Sequence, residues 1–187
     1  MELKFILNGT PRTVEISADT LLLDLLRSLK CYSVKRGCET GNCGLCTVFV
    51  DEKPVLSCST LAARVEGRSV VTLEGLREEA EEYGAYIADE GAEQCGFCNP
   101  GLMMNAIALY REKPDATDDE IKEYLAGNLC RCSGYEGQLR GIRSYLEYKN
   151  SLERKHADMR STAADAKTDI HRMSDTCETM NQEVRHE

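Results

Sequence analysis

Histidine is missing from the first 155 residues of this 187-residue chain; His156, His171 and His186 all lie in the last 32. The body of the chain therefore has no imidazole for mixed Cys/His zinc sites or for histidine-based acid–base catalysis. No apolar run approaches the roughly 18 residues that a membrane span needs. The start, Met1-Glu2 followed by LKFIL, shows no basic segment leading into a long apolar stretch and a cleavage site. No secretory signal and no membrane association are expected, and a cytoplasmic location follows. Positive charge is also short: 23 Lys and Arg against 32 Asp and Glu give a formal net charge of −9, which argues against a nucleic-acid phosphate binder. Leu, Ile, Val and Phe are few as well, 39 of 187, just above the level at which chains fail to fold. The abundant residue is cysteine, with ten. A reducing compartment disfavours a framework of disulfides, so whatever chemistry the first 150 residues carry is thiolate chemistry.

The length allows one compact domain or two small ones, and the texture changes near residue 76. Residues 1–75 read as a small α/β unit. Leu3 to Leu7 and Arg12 to Ile16 are strand-like, joined by turn chemistry at Asn8-Gly9-Thr10-Pro11. Asp19 or Thr20 is the expected cap of a helix with Leu21, Leu22, Leu25, Leu26 and Leu29 on one face. Cys46 to Val50 and Val55 to Cys58 form a second strand pair, and Val70 to Leu73 a last strand. Residues 76–150 read as four helices able to form one bundle. The first covers Glu78 to Glu90 and stops at Gly91; the second opens with Asn99 as N-cap and Pro100 at the first helical position. The third opens on the capping box Thr117-Asp118-Asp119-Glu120, and the fourth covers Glu136 to Tyr148. Residues 151–187 are a charged, flexible tail by composition, with 14 charged residues in 37.

Eight of the ten cysteines fall into two quartets. Cys38-x4-Cys43-x2-Cys46, then Cys58, has the plant-type [2Fe-2S] spacing. Three thiolates converge from one tight, glycine-rich loop, and the fourth arrives from the end of a neighbouring strand. Structural zinc uses paired short knuckles and fits this spacing poorly. Cys95-x2-Cys98 and Cys130-x-Cys132 lie in two interhelical turns, where four sulfurs can meet one buried centre. A [2Fe-2S] unit suits the one-residue gap, while a four-cysteine zinc site stays open on spacing alone. Neither quartet leaves an open metal position, so electron transfer is expected rather than activation of water. Lys35, Arg36 and Arg131 flank the loops and are candidate counter-charges. Cys31 reads as a buried thiol and Cys177 as an unassigned tail thiol.

The stretches 37–48 (GCETGNCGLCTV), 94–101 (QCGFCNPG) and 127–135 (GNLCRCSGY) closely resemble the iron–sulfur subunit of the xanthine dehydrogenase/aldehyde oxidase molybdenum hydroxylases. The resemblance covers about residues 2–150, with Leu45 and Asn99 as modest departures. It implies an α+β chain, an N-terminal β-grasp ferredoxin-like domain followed by a C-terminal four-helix-bundle [2Fe-2S] domain, and two [2Fe-2S] clusters as cofactors. By the same resemblance, Cys95, Cys98, Cys130 and Cys132 hold the cluster nearest molybdenum, and Cys38, Cys43, Cys46 and Cys58 the one nearer flavin. Gln94 matches a glutamine that hydrogen-bonds the molybdopterin, and Cys132 a ligand beside the pterin. The implied partners are a large molybdopterin-binding subunit and an FAD-binding subunit. The chain itself shows no dinucleotide-binding glycine motif and no acid, base or nucleophile. Two rivals to an electron-transfer subunit are a freestanding ferredoxin-like carrier and a cluster-based redox sensor.

Overall fold

Strand β1 (Glu2–Leu7) buries alternate residues, Leu3, Phe5 and Leu7, on one face, the period-2 pattern of a strand half-covered by a core. It pairs antiparallel with β2 (Thr10–Glu15) through a tight turn in which Asn8 and Gly9 both take positive φ, 49° and 76°. That backbone twist matches the twist of the paired strands. Pro11 lies within β2 opposite Ile6 and is tolerated because β2 is an edge strand. In the computed structural model, which describes residues 1–156, a second hairpin joins β3 (Thr47–Val50) to β4 (Lys53–Leu56). Strand β5 (Ser69–Val71) enters between the hairpins, parallel to β1 and antiparallel to β3. Among the described residues the sheet has five strands in the order β2-β1-β5-β3-β4.

Helix α1 (Leu22–Ser28) lays Leu22, Leu23, Leu25 and Leu26 into the core with Leu3, Phe5, Val48 and Val50. The cap expected at Asp19 or Thr20 is not used. The N-cap is Leu21, with no side-chain cap, and the Leu22 N–H donates to the Thr60 carbonyl at 2.8 Å. A strand-like bridge between Leu21 and Leu61 satisfies the helix start, so tertiary pairing replaces a local cap.

The chain then turns helical: α2 (Arg77–Asp89), α3 (Asn99–Glu112), α4 (Asp118–Tyr124) and α5, over 136–146. Gly91, at φ 59°, follows α2 as expected. Helix α3 begins one residue earlier than predicted: Cys98 is the N-cap, and Asn99 and Pro100 are already helical. The Thr117–Glu120 capping box is formed reciprocally, as the sequence predicts. Leu139, Ile142, Tyr145 and Leu146 of α5 pack with Tyr83, Ile87, Leu102, Leu109 and Ile121 in one core. Tyr145 and Tyr83 meet edge-to-face with centroids 5.2 Å apart.

Strand β3 is buried on both faces, and this joins the two halves. Val48 and Val50 point to the α1 core, while Phe49 packs on Met104, Ile107 and Ala108 of α3. Fully burying such a phenylalanine stabilises by about 1.5–3 kcal/mol. Arg111 lies over the Phe49 ring and pairs with Glu52 at 2.8 Å and Glu79 at 3.0 Å. Residues 1–146 make one compact unit, and the described residues 147–156 belong to a second. Of the second unit, residues 147–156 are helical; the remainder of the expected tail, Cys177 included, lies outside the described residues. Among the described residues no helix is long and apolar enough to cross a membrane.

Candidate metal centre

The first quartet hangs on the loop between α1 and β3. Cys46 is the residue before β3, and Cys58 sits in the single turn of 3-10 helix, Ser57–Ser59, that follows β4. The β3–β4 hairpin register therefore brings them together. Buried Ser57 fixes the approach, donating its N–H (3.2 Å) and hydroxyl (2.7 Å) to the Cys46 carbonyl. Cys38 and Cys43 come from the loop itself. The amides of Thr40 and Asn42 hydrogen-bond the Cys38 sulfur and hold its pKa down to about 6. Burial pushes the Cys43 thiol up, and burial with the adjoining Cys46 pushes Cys58 up to about 12.

The second quartet lies at the start of α3 and in the turn between α4 and α5. Cys130 accepts hydrogen bonds from the Cys132 N–H (3.4 Å), the Ser133 N–H (3.4 Å) and the Ser133 hydroxyl (3.2 Å). Burial opposes charge on that sulfur, but these donors prevail and lower it to about 7. The Tyr135 hydroxyl accepts from the Cys130 N–H at 3.0 Å and closes the turn. Burial raises Cys98 to about 11. The amide of Phe97 lowers Cys95, and the hydrogen bond shared with Cys95 raises Cys132.

Each quartet approaches as two pairs. Cys38 interacts with Cys43 and Cys46 with Cys58; Cys98 interacts with Cys130, and Cys95 meets Cys132 with the sulfurs 3.6 Å apart. Among the described residues no three Cys, His, Asp or Glu side chains gather as they would around a single metal ion. Four cysteines arranged as two pairs would hold a two-iron unit, which would supply one-electron transfer. A cluster held here would take these sulfurs as thiolates, against the burial that favours the protonated Cys43, Cys58 and Cys98, and the amide and hydroxyl donors around Cys38 and Cys130 would stabilise its negative charge. All nine cysteines among the described residues are free thiols.

The two quartets open onto one cavity of about 460 Å³, lined by Cys38 and Cys43 from one side and Cys95, Cys98, Cys130 and Cys132 from the other. The Leu129 N–H donates to the Cys43 carbonyl at 3.0 Å, tying the residue before one ligand to the other quartet. Beside it, Asn105 Nδ2 donates to Thr47 Oγ1 (3.2 Å), the Gly101 carbonyl (3.2 Å) and buried Asn128 Oδ1 (3.0 Å). Neither asparagine is marked by the cysteine spacing; Asn128 stands two residues before Cys130, and Asn105 is an amide flanked by the apolar residues Met104 and Ala106 of α3. Gln94, expected at the pterin, is exposed and donates to the Cys132 carbonyl at 3.1 Å. Among the expected counter-charges, Arg36 is committed to Asp24 (2.5 Å) and Glu39 (3.1 Å), and Lys35 lies 4.8 Å over the Phe97 ring. Arg131 lines the shared cavity. Cys31 is buried, as expected.

Two family models match the chain: a 2Fe-2S iron-sulfur cluster binding domain over residues 5–73 and a [2Fe-2S] binding domain over 72–143. The nicotinate dehydrogenase small FeS subunit of Eubacterium barkeri is 42% identical over 132 residues, covering 69% of this chain and 84% of that subunit. The xanthine dehydrogenase iron-sulfur-binding subunit of Escherichia coli O157:H7 is 46% identical over 135 residues, 70% of this chain and 84% of that one. Among solved structures, a chain of quinoline 2-oxidoreductase from Pseudomonas putida 86 superposes with a TM-score of 0.73 at 37% identity, over 79% of this chain and 94% of that chain.

Proposed function

Because the chain belongs to the family of small iron–sulfur subunits of xanthine dehydrogenase/aldehyde oxidase-type molybdenum hydroxylases, electron-transfer subunits of oxidoreductase complexes, we propose that its two cysteine quartets are the two ends of one electron route. Cys38, Cys43, Cys46 and Cys58 ligate one [2Fe-2S] cluster, and Cys95, Cys98, Cys130 and Cys132 the other. The shared cavity with its Leu129–Cys43 hydrogen bond carries this reading, because it gives the two ligand sets a continuous link of bonds and one hydrogen bond. When bound, each cluster supplies reversible one-electron transfer.

The chain's own residues bind, orient and insulate. Cys95 and Cys132 are exposed, and Gln94 braces the Cys132 carbonyl, so this end faces a partner. That partner is a large molybdopterin-binding subunit, and electrons enter here. They leave from the first quartet toward an FAD-binding subunit. The remaining N–H of the Gln94 amide is the group offered to the pterin. The substrate pocket belongs to the large subunit.

At finer grain, residues 1–75 form a β-grasp ferredoxin-like domain and 76–150 a four-helix bundle. The sheet order with α1 packed on it, the common core of α2 to α5, and the meeting of the two family models at residues 72–73 support this.

The complex, isolated anaerobically, should contain two irons and two acid-labile sulfides per quartet, and its reduced form two distinct EPR signals. Zinc without sulfide, or a single signal, would overturn the proposal. A Gln94→Ala variant should keep both signals while substrate reduces the helical-half cluster about tenfold more slowly or worse, a size in keeping with loss of one supporting hydrogen bond. Unchanged rapid-reduction kinetics would remove Gln94 from the entry site.

A further inference from the structure

Gln138 is an anomaly of burial. It stands in the first turn of α5 beside the apolar residue Leu139, with 4% of its surface exposed, and it is polar. A buried amide without a partner is costly, so such a residue is held by something specific. Its Nε2 lies 3.8 Å from Cys98 Sγ and donates to it. Gln138 also borders a small gap lined by Cys98, Cys130 and Asn128, and on another side the apolar cavity of about 350 Å³ walled by Leu102, Ile121 and Leu139.

The four sulfurs of this quartet are served unequally. Cys130 has three donors from its own turn, and Cys95 has the Phe97 amide. Cys98 is the inward member, next to the core that holds Tyr83, whose hydroxyl is fully buried without a hydrogen-bond partner. Cys98 is partly buried, and that burial disfavours negative charge on its sulfur. Beside the Cys98 amide, Gln138 supplies a side-chain N–H there.

We propose that Gln138 is a positioning residue that sets the reduction potential of the helical-half cluster through its hydrogen bond to Cys98. The inference rests on the ligand assignment made above. Reduction adds one electron and no bond changes, so the cluster's sulfurs become more negative and an N–H···S bond strengthens on reduction. Removing the donor therefore disfavours the reduced form. The amide holds electrons on the entry cluster; without it they are displaced toward the ferredoxin-like one.

The test is an EPR-monitored redox titration of the intact complex carrying Gln138→Leu, with Gln138→Met as a second variant of similar length. Both are apolar and match the cavity wall. The expected result is full iron, both signals, and an about tenfold fall in the reduced-to-oxidised ratio of the helical-half cluster at fixed potential. For a one-electron couple that is a downward shift of about 59 mV. The other signal should not move, which a general loosening of the fold would not achieve. Both midpoints unmoved in variants with two intact signals would overturn the role of Gln138 while leaving the two-cluster assignment standing. Loss of the helical-half cluster from both variants would overturn it too, by making Gln138 a scaffold residue. Failure of the unaltered complex to show two signals would instead overturn the ligand assignment itself.

Discussion

Cys43→Ala should remove one cluster and spare the other: half of the iron and sulfide lost, one of two EPR signals gone, and turnover with a flavin-dependent acceptor reduced to background. Alanine leaves no donor at a position that is almost fully buried. The partner sulfur of the pair, Cys38, would then face an iron with one protein ligand instead of two. The lesion is confined because the link from the helical half to this residue is made by the backbone. The Leu129 N–H donates to the Cys43 carbonyl, which alanine retains. Substrate should still reduce the helical-half cluster in this variant, and electrons should stop there. Rapid-freeze EPR during single turnover reads this directly. Two undiminished signals would refute the assignment of Cys43, and loss of both would show that the quartets are not separable units.

The division of eight cysteines into two quartets was legible in their spacing, and the structure pairs the sulfurs in a way that spacing cannot. Cys46 and Cys58 become neighbours through the β3–β4 register, a long-range consequence of which residues alternate into the core. Most elements were legible too, because their signals are local: alternate burial in β1, the reciprocal Thr117–Glu120 cap, and the α5 stripe. Failures came where tertiary contacts replaced local chemistry. Helix α1 has no side-chain cap because the 60–62 segment pairs with its start, and α3 starts one residue early, with Cys98 rather than Asn99 at the cap position. Helix α3 is buried nearly all round, since it faces β3 on one side and α2, α4 and α5 on others. The asparagine latch and the buried Gln138 carried no pattern of their own; their meaning depends on which backbone groups lie opposite them.

Gly101→Ala should have the largest effect of any change outside the ligands, on stability and on transfer between the clusters together. Gly101 lies in the first turn of α3, where it presses on the first ligand loop. A Cβ there would run into the Gly44 carbonyl and come within 2.8 Å of Leu45 Cα. Both obstacles are backbone, so no rotamer change can relieve them. Gly44 cannot retreat, since its own far side abuts the Asn128 amide and the Gly127 carbonyl, and its φ is +73°. Helix propensity favours alanine over glycine by about 1 kcal/mol. Overpacking of this kind costs about 1–3 kcal/mol, and backbone-on-backbone contact puts this site at the upper end. The net loss is about 2 kcal/mol, a fall in Tm of roughly 4–8 °C for a unit of this size. The strain falls on the seam that holds the Leu129–Cys43 hydrogen bond and the Asn105–Asn128 latch, so both should lengthen or break. Each cluster should keep its own midpoint potential, while the passage of an electron from one to the other slows. A melting temperature and an inter-cluster rate equal to those of the unaltered protein would show that the two loops are not held in contact at Gly101.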